Sequence, residues 1–150
     1  MSDLPEITLL DMNGNSVSLD GFKDQNVIIY FYPRDNTPGC TTEACEFRDF
    51  NGEIISMGYK IIGISRDSAD SHRKFTEKYG LDFTLLSDPE MEAHKALGAW
   101  GTKKMYGKET QGVIRSTFVF TKGKLIKSWT NVKAAGHAAR VLEYIRDKVS

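Results

Sequence analysis

Cysteine is scarce in this 150-residue chain, where only Cys40 and Cys45 are present. A small secreted scaffold held by disulfides carries more, and two thiols do not complete a four-ligand zinc site. An excess of charge of one sign is also missing. Twenty Lys and Arg balance twenty Asp and Glu, which argues against a polyanion such as nucleic acid as partner. No apolar run approaches the length of a membrane span. The opening residues Met1-Ser2-Asp3-Leu4-Pro5 lack the basic and apolar regions of a signal peptide, so a cytoplasmic location is the expectation. Internal repeats, linkers and low-complexity segments are absent, which leaves one domain over residues 1–150 as the simplest organisation. A domain of this size needs no staple. In a reducing compartment, two cysteines this close point to catalysis or redox sensing.

What is present alternates strand and helix patterns. Ile7-Thr8-Leu9 and Val17-Ser18-Leu19 flank Asn13-Gly14, a hairpin turn signal. Val27 to Tyr32 is a continuous run of β-branched and aromatic residues, as expected of a strand buried on both faces. After Pro33 and a loop, the period changes at Cys40. Ala44, Phe47 and Ile54 recur at helical spacing, and Gly58 marks a stop. Tyr59–Ser65 reads as a strand, Ala69–Tyr79 as a helix and Phe83–Leu86 as a strand. Asp88-Pro89 reads as a cap and first turn opening a helix to about Leu97. Gly98–Gly112 reads as a glycine- and lysine-rich loop. Arg115–Phe120 and Leu125–Thr130 read as strands. A last helix carries Ala138, Val141, Leu142, Ile145 and Val149 on one stripe. This order predicts an α/β thioredoxin-like fold, with a central mixed sheet flanked by helices and an N-terminal β-hairpin.

Cys40 follows a strand, a proline-containing loop and Gly39, and it opens a helix. The first turn of a helix presents unpaired N–H groups and the positive end of the dipole, and both favour a thiolate, the reactive form. Cys45 lies five residues on. In an ideal helix that spacing separates Cα atoms by about 8–9 Å and side chains by about 140°, whereas a disulfide needs Cα atoms within about 7 Å. A bond between them requires the first turns to unwind. Two inert, packed cysteines remain the plain alternative from position alone.

The stretch Pro33-Arg34-Asp35-Asn36-Thr37-Pro38-Gly39-Cys40 matches the Pro-x-x-x-Thr-x-x-Cys signature of the peroxiredoxins. Thr41-Thr42-Glu43-Ala44-Cys45-Glu46-Phe47-Arg48-Asp49 resembles the subfamily called peroxiredoxin Q or bacterioferritin comigratory protein. So do the stretch Gly98 to Lys108 (which includes Trp100 and Tyr106), Gly112 to Phe118, and Gly136-His137-Ala138. The usual Ala-Pro-Asp-Phe near the start is replaced by Leu4-Pro5-Glu6-Ile7, a change that concerns packing of the hairpin.

The resemblance implies a thiol peroxidase acting on hydrogen peroxide and alkyl hydroperoxides. It implies Cys40 as the attacking residue and Cys45 as the one that condenses with the resulting sulfenic acid. It further implies Thr37 as a hydroxyl bridging thiolate and peroxide, Arg115 as the charge beside them and Pro33 as a shield from water. The N–H groups of Gly39 and Cys40 complete the donors. Thioredoxin or a similar dithiol is the implied reductant, and no metal, haem or flavin is called for. Monomers and dimers both occur in the family, with monomer the expected state.

Other residues receive plainer readings. Glu43 reads as a helix-capping residue, with steering of a catalytic hydrogen bond as its alternative. Arg34, Asp35 and Asn36 read as loop residues, and Trp100 as a packing anchor. His72, His94 and His137 lie in separate helices and read as surface or hydrogen-bonded histidines. Two rival functions stand beside the peroxidase. One is a dithiol oxidoreductase, which would typically place Cys-x-x-Cys at the helix start. The other is a redox-controlled binding protein that exposes Ala44, Phe47 and Phe50 on unwinding.

Overall fold

A computed structural model of the chain describes residues 3–105 and 107–149, so Tyr106 lies outside the described residues. The elements run β1 (Thr8–Asp11), β2 (Ser16–Ser18), a 3-10 turn (Leu19–Phe22), β3 (Asn26–Phe31), α1 (Pro38–Ser56), β4 (Tyr59–Ser65), α2 (Ala69–Tyr79) and β5 (Thr84–Ser87). They continue with α3 (Glu92–Leu97), β6 (Trp100–Met105), β7 (Lys108–Val113), β8 (Ser116–Thr121), β9 (Lys124–Trp129) and α4 (His137–Val149). No helix among the described residues is long and apolar enough to cross a membrane.

Seven strands form one mixed sheet in the order β2-β1-β5-β4-β3-β8-β9. β3, β4 and β5 are parallel neighbours, while β1–β2, β1–β5, β3–β8 and β8–β9 pair antiparallel. The alternation of a strand explains why β3 is apolar throughout. Ile28, Tyr30 and Tyr32 face one core with Phe47 and Ile54 of α1, Phe75 of α2 and Val141 and Ile145 of α4. Val27, Ile29 and Phe31 face a second core with Ala93 of α3, Val113 of β7 and Phe118 of β8. The central strands therefore lie between two apolar layers, as the sequence pattern requires. At Gly63 of β4, an added Cβ would sit 2.8 Å from a Leu85 methyl and 2.9 Å from the Tyr30 ring. Only glycine lets Tyr30 lie across its neighbour strand.

The Asn13-Gly14 hairpin forms as expected, with Gly14 at φ 81° and the Asp11 carboxylate accepting from the N–H groups of Asn13 and Asn15, both at 2.9 Å. Two expectations are corrected. Gly98–Gly112 is not a loop: Trp100 pairs with Val113 and Met105 with Lys108 in a separate antiparallel hairpin. Its strands are short of apolar residues, so no alternation marks them. Asp88-Pro89 does not open a helix either. α3 begins at Glu92, after Met91 in a left-handed conformation at φ 59°. Asp88 still acts as an acceptor for that helix, taking hydrogen bonds from the N–H groups of Glu92 and His94, both at 3.0 Å. Trp100 packs against the second core as expected.

Candidate active site

The β3–α1 junction and the start of β8 build the site. Pro38 occupies the first turn of α1, where a missing N–H costs nothing. Cys40 is thus the third helical residue, and its thiol is 2% exposed. No side chain caps this helix start, so the N–H groups of Gly39 and Cys40 are not consumed by one. Phe31 at the end of β3 pairs with Ser116, which brings Arg115 to the same end of the sheet. Its Nη2 donates to the Cys40 sulfur at 3.3 Å and its Nη1 to Glu43 Oε1 at 2.6 Å. Gly39 lies under the guanidinium, where an added Cβ would be 3.4 Å from Nη2.

Glu43 is fully buried. The capping reading is therefore wrong, because its carboxylate turns into the core and pairs with Arg115 instead of meeting the helix N–H groups. Burial pushes its carboxyl up to about 7, against the opposing pull of Arg115. For Arg115 burial disfavours the charge, but Glu43 and Cys40 outweigh it and hold the group above the usual arginine range. Tyr30 belongs to the same region. Its ring stacks on Phe47 with centroids 4.7 Å apart, and burial first, then the charge of Glu43, holds its hydroxyl protonated well above the usual range.

The other expected residues are placed as follows. Thr37 is the residue before α1, with Oγ1 donating to the Arg34 carbonyl at 2.9 Å. Its proton is engaged by that carbonyl, and a lone pair is what it offers a ligand. Pro33 is exposed at the end of β3, so any shielding by it comes from the solvent side. Cys45 is half-buried, and both cysteines are free, with α1 unbroken through the two positions.

Sequence reasoning missed a second buried cluster. Asp35 is not an ordinary loop residue, being 6% exposed with Oδ1 accepting from the Tyr32 hydroxyl at 2.5 Å. Its Oδ2 meets His72 Nδ1 at 2.7 Å and the Ser71 hydroxyl at 2.8 Å. None of the three histidines is on the surface. His94 pairs with Asp88 at 2.7 Å, and His137 Nε2 with the Thr117 hydroxyl at 2.7 Å. The available signal for Glu43 was its spacing, since it lies on the face of α1 that carries Cys40, Ala44 and Phe47. No local signal marked Ser71 and His72 as partners of Asp35, from which they lie 36 and 37 residues away.

Comparison with known proteins finds relatives over most of the chain. The family model described as the AhpC/TSA family matches residues 2–128. The chain is 44% identical over 144 residues to peroxiredoxin Bcp of Bacillus subtilis, covering 95% of this chain and 92% of that protein. It is 41% identical over 134 residues to peroxiredoxin Bcp of Xanthomonas campestris, covering 89% and 84%. Among solved structures, the Xanthomonas campestris bacterioferritin comigratory protein, studied for alkyl peroxide reduction, superimposes with a TM-score of 0.91 at 38% identity. That match covers 98% of this chain and 97% of the other.

Proposed function

This chain belongs to the AhpC/TSA family and is a thiol peroxidase, and from that premise we propose that Cys40 attacks the peroxide and Cys45 resolves the product. The observation that carries the assignment is the Arg115 hydrogen bond to a buried Cys40 sulfur in the first turn of α1. A guanidinium donor gives the thiolate a charge-assisted partner. It also stands where charge develops as the O–O bond breaks.

The reaction balances without a cofactor. The Cys40 thiolate forms a bond to one peroxide oxygen, the O–O bond breaks, and the other oxygen leaves and takes up a proton as water or alcohol. Arg115 and the N–H groups of Gly39 and Cys40 supply donors for the two oxygens. Thr37, with its own proton held by Arg34, accepts the hydrogen bond of the peroxide hydroxyl. The Cys40 sulfenic acid then condenses with the Cys45 thiol, releasing water and forming a disulfide. Because α1 is continuous across both residues, the first turns open before the sulfurs meet.

The family acts on peroxides with a thiol reductant. For this chain the substrates are hydrogen peroxide and alkyl hydroperoxides, and the reductant is thioredoxin or a similar dithiol. Hydrogen peroxide added to the fully reduced chain, followed by peptide mass analysis, tests the pairing. A disulfide linking the Cys40 and Cys45 peptides is the expected product. Oxidation confined to any other residue overturns the assignment.

A further inference from the structure

The loop that presents Thr37 and Cys40 is fastened to α2 at both ends of that helix. At the start of α2, the Asp35 carboxylate takes hydrogen bonds from the Ser71 hydroxyl and from His72, while Tyr32 donates to its other oxygen. The Asp35 N–H itself donates to Asp67 Oδ2 at 2.8 Å. At the end of α2, the Tyr79 hydroxyl donates to Asn36 Oδ1 at 2.9 Å, and Asn36 is held in a left-handed conformation at φ 58°. His72 is fully buried with Nε2 facing the Leu86 carbonyl at 3.0 Å. Its two ring nitrogens thus tie α2 to Asp35 on one side and to β5 on the other.

Beyond Cys45, α1 has separate anchors. Arg48 Nη1 donates to the Tyr79 carbonyl at 2.6 Å, and Asn51 Nδ2 to the Asp82 carbonyl at 3.2 Å. α2 and the residues flanking it therefore hold the loop before Cys40 and the body of α1 after Cys45. The segment between them must rearrange for the sulfurs to meet, and its upstream end is held through Asp35. The hydrogen bonds of this cluster run to Asp35, Asp67 and Asn36, whereas the thiol takes its hydrogen bond from Arg115.

We propose that Tyr32, Ser71 and His72 are positioning residues that act through Asp35 to keep the Cys40 loop in its peroxide-reactive form, and so set how fast Cys40 leaves it to join Cys45. The proposal rests on the roles assigned to Cys40 and Cys45 above. A buried carboxylate with three hydrogen-bonded neighbours releases its loop reluctantly. Removing one donor weakens the hold while the side chains keep their shape. Loosening the loop speeds disulfide formation and shortens the life of the sulfenic acid. A second peroxide then has less time to carry Cys40 on to sulfinic acid.

Tyr32→Phe and Ser71→Ala are the variants to use, since each deletes a hydroxyl and retains the packing. The reduced proteins are mixed with hydrogen peroxide, quenched at intervals by thiol alkylation, and analysed by mass. The expected result is disulfide formation about 10- to 100-fold faster than in the natural chain, the loss of one hydrogen bond to a charged group. A smaller sulfinic fraction at a fixed peroxide concentration is expected with it. A purely structural role predicts lower thermal stability with the disulfide-to-sulfinic ratio unchanged, and that result in both variants overturns the proposal. If the natural chain is not oxidised at Cys40 at all, the peroxidase assignment of Cys40 fails instead, so the two failures are distinguishable.

Discussion

Arg115 reaches the Cys40 sulfur from a residue 75 positions away in the chain, at 3.3 Å. The contact exists because β8 pairs antiparallel with β3 and sets Ser116 opposite Phe31. The same guanidinium is fixed from behind by Glu43, so its direction is decided before any peroxide arrives. Preorganised charge of this kind acts in the transition state without reorganisation.

Replacing Arg115 by Ala removes both the donor and its charge. The second-order rate of Cys40 oxidation is expected to fall by about 10²–10³, the scale for loss of one oxyanion donor. Rapid-mixing measurement of the first oxidation step checks this, and an unchanged rate removes Arg115 from the site.

Glu43 and His137 have opposite effects on stability as pH changes. Burial raises Glu43 to about 7, so between roughly pH 4.5 and pH 7 the folded chain binds the extra proton and stability falls as pH rises. Burial, followed by the charges of Arg140 and Arg115, lowers His137 to about 4. Between roughly pH 6.5 and pH 4 the unfolded chain therefore binds the extra proton, and stability falls as pH falls. The two largely cancel in the natural chain. Glu43→Gln removes one and exposes the other. Urea unfolding of this variant is expected to show a loss of about 3 kcal/mol from pH 6.5 to pH 4, on the scale of 1.36 kcal/mol per unit. A slope no steeper than that of the natural chain contradicts the Glu43 reading.

Cys45→Ser keeps the attacking thiol and deletes its partner. One equivalent of peroxide is expected to react at a near-natural rate, after which turnover with thioredoxin collapses and Cys40 accumulates as sulfenic and sulfinic acid. Steady-state peroxide consumption set beside the single-turnover amplitude separates the two steps. Normal cycling removes Cys45 from its role.

Gly63→Ala tests the core over which Tyr30 lies. Contacts of 2.8 and 2.9 Å to Leu85 and Tyr30 leave no room for a methyl group. A loss of about 1–3 kcal/mol is expected from overpacking, measured by denaturant unfolding. No loss contradicts the packing described for β4.

The central strands were legible because their pattern follows from burial alone. Val27 to Tyr32 is apolar at every position, and β3 proves to be covered on both faces. The β6–β7 hairpin was not legible. Lys103, Thr110 and Gln111 give no apolar alternation, and cross-strand pairing binds it together. The cysteines, Thr37 and Arg115 were marked by a local motif and its distant companion. Glu43 was misread because a carboxylate near a helix start looks like a cap until its partner, 72 residues away, is in place. Asp35 was misread for the same reason, since a buried pair is set by tertiary contact, and for His72 the hydrogen-bonded reading holds and the surface one does not.

The account rests most directly on Cys40. The decisive measurement is consumption of hydrogen peroxide and an alkyl hydroperoxide by the reduced protein with a thioredoxin system, beside Cys40→Ser. Rapid turnover by the natural chain that vanishes in Cys40→Ser is the predicted result. Turnover retained in Cys40→Ser, or absent from the natural chain with intact thiols and a working reductant, contradicts it.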